Sequence, residues 1–307
     1  MKKLFVLVGV LASVCGADAY ADVVLDAQEA FRIAGQVCSG ISDEIKQVAN
    51  IGKVNTAVTA VGTVAGGGAL AVGISKSQVD KQIEQLEQQL SQAGCTDADN
   101  VLGMSNEQFF NGCMPYLAEI AQLTQLQEKS ENLGNWRTGL LAGAGATHIA
   151  SAVMSGINVN QSDLTQHIIA CNNAIKLLEQ EKQKLQVAGV NPYENPIRGK
   201  IDNALGNCMT LNVADVDKIE NREKWVLGSS VVGGTAAVVG VATSATAIAD
   251  AVRDDKQKAK NLNTTANVMA GVSTVGSGVA TGFNVSIVTL TKKMISQAER
   301  CEQVFGQ

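Results

Sequence analysis

"VNTAVTAVGTVAGGGALAVGIS", residues 54 to 75, has no charged side chain, carries five glycines and lies between Lys53 and Lys76. Three readings compete for it: a helix crossing a membrane, a helix packed on similar helices, or a reversal of the chain at Gly66-Gly67-Gly68. A straight helix over this stretch runs about 33 Å, enough for a bilayer core of ~30 Å, whereas two arms of about 18 Å only dip into one leaflet. Whichever holds, the glycines mark backbone contact or reversal, because each costs ~1 kcal/mol relative to alanine in a helix interior.

Three more stretches, 138 to 162, 225 to 249 and 261 to 291, are equally free of charge. Small residues recur in them at helical spacing, as in Ala65, Ala69 and Gly73, or Ser229, Gly233 and Ala237. Such spacing puts a groove on one helix face where another backbone approaches closely. The candidate packing positions are Gly62, Gly66, Gly73, Gly139, Gly143, Gly233, Gly240, Gly278 and Gly282. The pattern resembles the glycine zippers of some exported bacterial membrane proteins. Trp136 and Trp225 stand at polar edges of these stretches, where an indole suits either a membrane interface or a helix corner. Gly, Ala, Ser, Thr and Val dominate, so the drive into hydrocarbon is weak. That weakness suits a chain that must pass one membrane during export, and equally a soluble bundle whose dry core is built from the four stretches.

Aromatic residues make up 4% of the chain and prolines number three, which favours long helices and an all-α fold. The seam Phe31, Ala34, Cys38, Ile41, Ile45, Val48 has the three-and-four spacing of a helix facing a partner, as do Leu164, Ile168, Cys171, Ile175, Leu178 and Met294, Ala298, Cys301, Phe305.

The chain opens with Lys2 and Lys3, an apolar run from Leu4 to Val14, and Ala19-Tyr20-Ala21, the pattern of a secretory signal cleaved after Ala21. A bacterial source and a destination in the periplasm, outer membrane or medium are expected. Loss of Cys15 with the signal leaves Cys38, Cys95, Cys113, Cys171, Cys208 and Cys301, an even set for an oxidising compartment. The intervals Cys38 to Cys95 and Cys113 to Cys171 nearly match, Cys208 to Cys301 is longer, and their midpoints fall at Gly66 to Gly68, at Ala142 and in "DDKQKAK", residues 254 to 260. The spacing reads as three helical hairpins, each clamped at its base: Cys38 with Cys95, Cys113 with Cys171, Cys208 with Cys301. The alternative pairs Cys95 with Cys113, Cys171 with Cys208 and Cys38 with Cys301. The expected organisation is a signal over 1–21, hairpins over 22–95 and 96–187, a linker over 188–199, and a longer hairpin over 200–307.

Formal net charge is -5, which disfavours capture of nucleic acid or anionic lipid. His148 and His167 stand alone in sequence and read as ordinary helix residues, and the cysteines lack the close spacing of a zinc site. No phosphate loop, dinucleotide loop, nucleophile elbow or HExxH motif occurs. The expectation is a non-enzymatic exported protein without cofactor or metal, associated with a membrane through its glycine-rich segments and oligomeric. The alternative is a soluble exported scaffold that binds another protein.

Overall fold

The computed structural model describes residues 21–95, 113–159, 162–191, 195–208, 211–249 and 255–306. The expected signal lies outside the described residues except for Ala21, and so does most of the stretch joining the first two expected hairpins. The described residues are helical with no strand, so the fold is all-α. The helices are α1 (21–38), α2 (Ile41–Gln92), α3 (Leu117–Val159), α4 (Ser162–Val187), α5 (Pro196–Cys208), α6 (Val213–Ile248) and α7 (Lys256–Phe305). Gly40, in the left-handed region at φ 85°, separates α1 from α2. Gly94 and Gly189 end α2 and α4 with the same backbone handedness, and the amides of Cys95 and Val190 donate back to the carbonyls of Leu90 and Leu185.

The decisive stretch does not reverse. α2 is an unbroken helix of 52 residues that runs straight through Gly66-Gly67-Gly68. Those glycines serve contact: a Cβ on Gly66 would lie 3.2 Å from the amide nitrogen and 3.3 Å from the Cα of Thr274. α3 likewise continues through Gly143-Ala144-Gly145 and ends only at Val159. The third reversal does fall near the charged "DDKQKAK", between α6 and α7.

The disulfides follow from this correction. A helix of α2's length spans ~78 Å, so it holds Cys38 and Cys95 at opposite ends and forbids the expected bridge between them. The structure instead joins Cys38 to Cys171 and Cys95 to Cys113, which also replaces the expected Cys113–Cys171 bridge. Cys208 is joined to Cys301. Of the alternative set, only Cys95–Cys113 occurs.

The chain divides into two compact units that cut across the expected boundaries. The first gathers residues up to Val54 with Met154–Lys224 and Phe283–Gln307; the second gathers Asn55–Val153 and Trp225–Gly282. The linker expected over 188–199 gives way to α5 at Pro196.

The first unit has an apolar core and ion pairs around it. Ile41, Ile45, Ile168, Leu178 and Met294 are fully or almost fully buried, in keeping with the seams read from the sequence, and so is Ile201 of α5. Ion pairs decorate its outside, among them Lys46–Glu299, Lys182–Asp202 and Lys218–Asp215. α1 and α2 run antiparallel to α7: the Phe31 and Phe305 rings lie 5.0 Å apart, and the Ser42 amide donates to Glu302 at 2.9 Å. His167, far from idle, sits on α4 with Nδ1 2.9 Å from Glu44 Oε1 and donates from Nε2 to the Val37 carbonyl at 2.8 Å. Burial pushes the Glu223 carboxyl above its ordinary range, and Asn158 donates to it at 2.7 Å.

Candidate functional site

The second unit brings together the stretch 225–249 and the larger part of each of the other three uncharged stretches, as a bundle of α2, α3, α6 and α7. Its interior is polar at both ends. Near one end Arg137 of α3 is fully buried and donates from Nε to Ser244 of α6 at 2.9 Å, from Nη2 to Asn263 Oδ1 at 2.7 Å and from Nη1 to Asn267 Oδ1 at 3.2 Å. Beside it, Lys76 of α2 donates to Asp80 at 2.9 Å and to Ser130 of α3 at 2.7 Å. One arginine thus ties three helices, and one lysine ties the fourth to α3.

Toward the other end, His148 of α3 is buried with Nε2 3.1 Å from the Ser273 carbonyl oxygen and 2.9 Å from the Ser277 hydroxyl of α7. Ser151 and Ser230 meet at 2.8 Å, linking α3 to α6. Between the two polar layers lies a small apolar one of Ala69, Leu141 and Ala270. The core of this unit combines alanines, among them Ala69, Ala144, Ala237, Ala266 and Ala270, with hydroxyls, amides, an imidazole and a guanidinium, and holds few large apolar side chains, such as Leu90, Leu141 and Val226.

Many of the large apolar side chains are on the outside. Val61 and Val64 of α2, Ile149 and Val153 of α3, Val231, Val232 and Val238 of α6, and Val268 and Val275 of α7 are all exposed, Val64 by 76% and Val275 by 66%. Trp136 and Trp225 are exposed by 69% and 64%. Trp136 adjoins the Arg137 layer, and Trp225 precedes Ser230 of the opposite layer by little more than a turn. The indoles therefore stand at opposite edges of the apolar belt.

Close packing explains why small residues are needed. A Cβ on Gly276 would lie 2.9 Å from the Ser229 carbonyl oxygen and 3.0 Å from the Cα of Gly233, so α6 and α7 touch backbone to backbone. Gly62 meets Thr147 and Ser277, Gly73 meets Asn267, Gly233 receives the ring of His148, and Gly240 packs on Leu141 and Met269. The candidate glycines thus divide. Gly62, Gly66, Gly73, Gly233 and Gly240 face inward, whereas Gly139, Gly143, Gly278 and Gly282 face out and a Cβ there meets nothing.

At the Arg137 end the helices part around a cavity of about 320 Å³ whose lining includes Lys76, Asp80, Glu87, Lys256 and Lys260. Its acidic and basic groups balance, with Lys256 paired to Glu87. In the first unit the sulfurs of Cys38, Cys171 and Cys301 lie within 4.8 Å of one another because the two bridges stack, and oxidation occupies each of them. The sequence missed Arg137, Asn263, Asn267 and Ser244. The available signal was a lone arginine at the edge of one uncharged stretch and two asparagines one helical turn apart near the start of another.

Compared with known proteins, the chain matches no family model, no curated protein and no solved structure.

Proposed function

We propose that the bundle of α2, α3, α6 and α7 spans a lipid bilayer, and that the protein is an exported, non-enzymatic membrane component whose first unit stands in water. The observation that carries this reading is the inversion of the second unit, polar within and apolar without. In water that arrangement exposes valine and isoleucine while burying a guanidinium; in hydrocarbon both choices are favourable, since lipid accepts the valines and helix–helix hydrogen bonds satisfy the polar groups. The exposed residues of α2 from Val54 to Ile74 cover about 30 Å, the thickness of a bilayer core. A tryptophan at each edge fits the interfacial zones.

Among the described residues, helical runs within Ala21–Gln92, Met114–Val187 and Pro196–Ile248 are long and apolar enough to cross a membrane. α7 is less apolar because it supplies Asn263, Asn267, Ser273 and Ser277, whose polar groups point into the bundle. The glycine-zipper and oligomer expectations belong to the same reading. Self-association is read by crosslinking in membranes, with Gly139, Gly143, Gly278 and Gly282 the positions to block.

Extraction of native membranes with alkaline carbonate tests the proposal. The protein stays with the lipid pellet if the belt is embedded; complete release into the soluble fraction overturns the reading. The soluble scaffold alternative draws on the conventional core and charged exterior of the first unit, and predicts that full release together with a monodisperse species in detergent-free buffer.

A further inference from the structure

Resting on the membrane-spanning reading, the positions of the disulfides select which membrane is crossed. α2 is unbroken from Ile41 to Gln92, and its uncharged stretch lies near its middle. Cys38 stands just before this helix and is bridged to Cys171; Cys95 stands just after it and is bridged to Cys113. Cys38 lies ~24 Å of helix from the uncharged stretch on one side, and Cys95 lies ~30 Å of helix from it on the other. If the stretch crosses hydrocarbon, the two bridges stand in two different aqueous compartments.

α7 gives one of these positions independently. It is also unbroken, from Lys256 to Phe305, and Cys301 follows the end of its uncharged stretch by about 15 Å of helix before joining Cys208. α7 runs antiparallel to α2, with Gly66 against Thr274 and Gly73 against Asn267. Its bridged cysteine therefore follows the end of the span that Cys38 precedes.

Structural disulfides persist in oxidising compartments and are reduced in the cytosol. A bilayer with one cytosolic face leaves one of these bridges open. We infer that the chain crosses a membrane with no cytosolic face, which in a two-membrane bacterial cell is the outer membrane. The composition of the spans accords with that route. Taken singly, α7 carries four asparagines and four serines, so it is a poor stop-transfer segment. The folded bundle turns Ser273 and Ser277 of α7 inward, together with Arg137 and His148 of α3, and carries exposed valines and isoleucines on its outside.

The experiment is expression of the full chain in a two-membrane bacterium, alkylation of free thiols at lysis, separation of inner and outer membranes by density, and non-reducing peptide mapping of each fraction. The expected result is recovery in the outer membrane with Cys95–Cys113 and Cys38–Cys171 both oxidised. Recovery in the inner membrane, or alkylated Cys95 and Cys113 beside an intact Cys38–Cys171, overturns this inference and leaves the membrane-spanning reading standing. Recovery in the soluble fraction overturns both. A Cys95→Ser, Cys113→Ser double variant controls the mapping: the Cys95–Cys113 peptide disappears while the other two bridged peptides remain.

Discussion

The imidazole of His148 fills the space that a side chain on Gly233 would occupy. A Cβ added at Gly233 would collide with Cε1 of the ring and lie 2.8 Å from Nδ1, and one at Gly234 would lie 3.1 Å from the His148 Cβ. The glycine pair is the socket that lets α3 approach α6 and puts the ring nitrogen within reach of Ser273 and Ser277. Gly233→Ala is expected to destabilise the bundle by about 2 kcal/mol through overpacking. Gly143→Ala, on the open face of α3, is expected to be neutral or to stabilise by up to ~1 kcal/mol. Thermal unfolding in detergent micelles compares the two, and equal effects would contradict the packing described.

Arg137 is expected to matter through hydrogen bonds to neutral partners. Arg137→Ala takes the guanidinium donor away from the half-buried Asn263 and Asn267 and the buried Ser244 and is expected to cost about 3 kcal/mol. Arg137→Leu is expected to lose similar stability yet to increase retention in the inner membrane during export, because it removes the charge at the edge of the uncharged stretch of α3 and lengthens its apolar run. Fractionation of cells expressing each variant reads the second effect separately from the first.

The bridges differ in the length of chain they close. Cys38–Cys171 spans 133 positions and Cys95–Cys113 spans 18. In the chain-entropy account their stabilisation is ~5 and ~3 kcal/mol respectively. Serine pairs at each bridge, unfolded by denaturant, are expected to show the larger loss for Cys38 and Cys171.

Acid is expected to weaken the first unit through Asp215. The Lys218 ammonium donates to this carboxylate at 2.8 Å, and Lys293 lies 3.7 Å from its other oxygen. That hydrogen bond from Lys218 holds the group below the ordinary aspartate value of 3.8. A carboxyl depressed in the folded state contributes its stability above the unfolded value and loses it as pH falls through the folded value. Stability measured from pH 6 downward, a range of about 3 units, is expected to fall below about 4, and Asp215→Asn is expected to flatten that fall.

The sequence showed the helices, the burial of Ile41, Ile45 and Val48 and the four uncharged stretches, and left the two tryptophans open between a membrane interface and a helix corner. These depend on periodicity and composition, which act locally. It misled at Gly66-Gly67-Gly68, because a glycine run reads alike whether it turns the chain or admits another backbone, and only Thr274 on a helix about 200 residues later decides between them. The near-equal cysteine intervals compounded that error by placing their midpoints on the glycines. His148 looked idle for a related reason: its partners Ser273 and Ser277 are more than a hundred residues away in the chain. Long-range pairing of small and polar residues leaves little periodic trace.

The network around Arg137 also orders events in time. Every side chain that accepts from its guanidinium belongs to α6 or α7, at Ser244, Asn263 and Asn267. A growing polypeptide therefore emerges with this cation orphaned until its last quarter is made. A truncated product ending before residue 244 has none of these acceptors, so the bundle is a structure of the finished chain, and a holding chaperone has a defined interval in which to act.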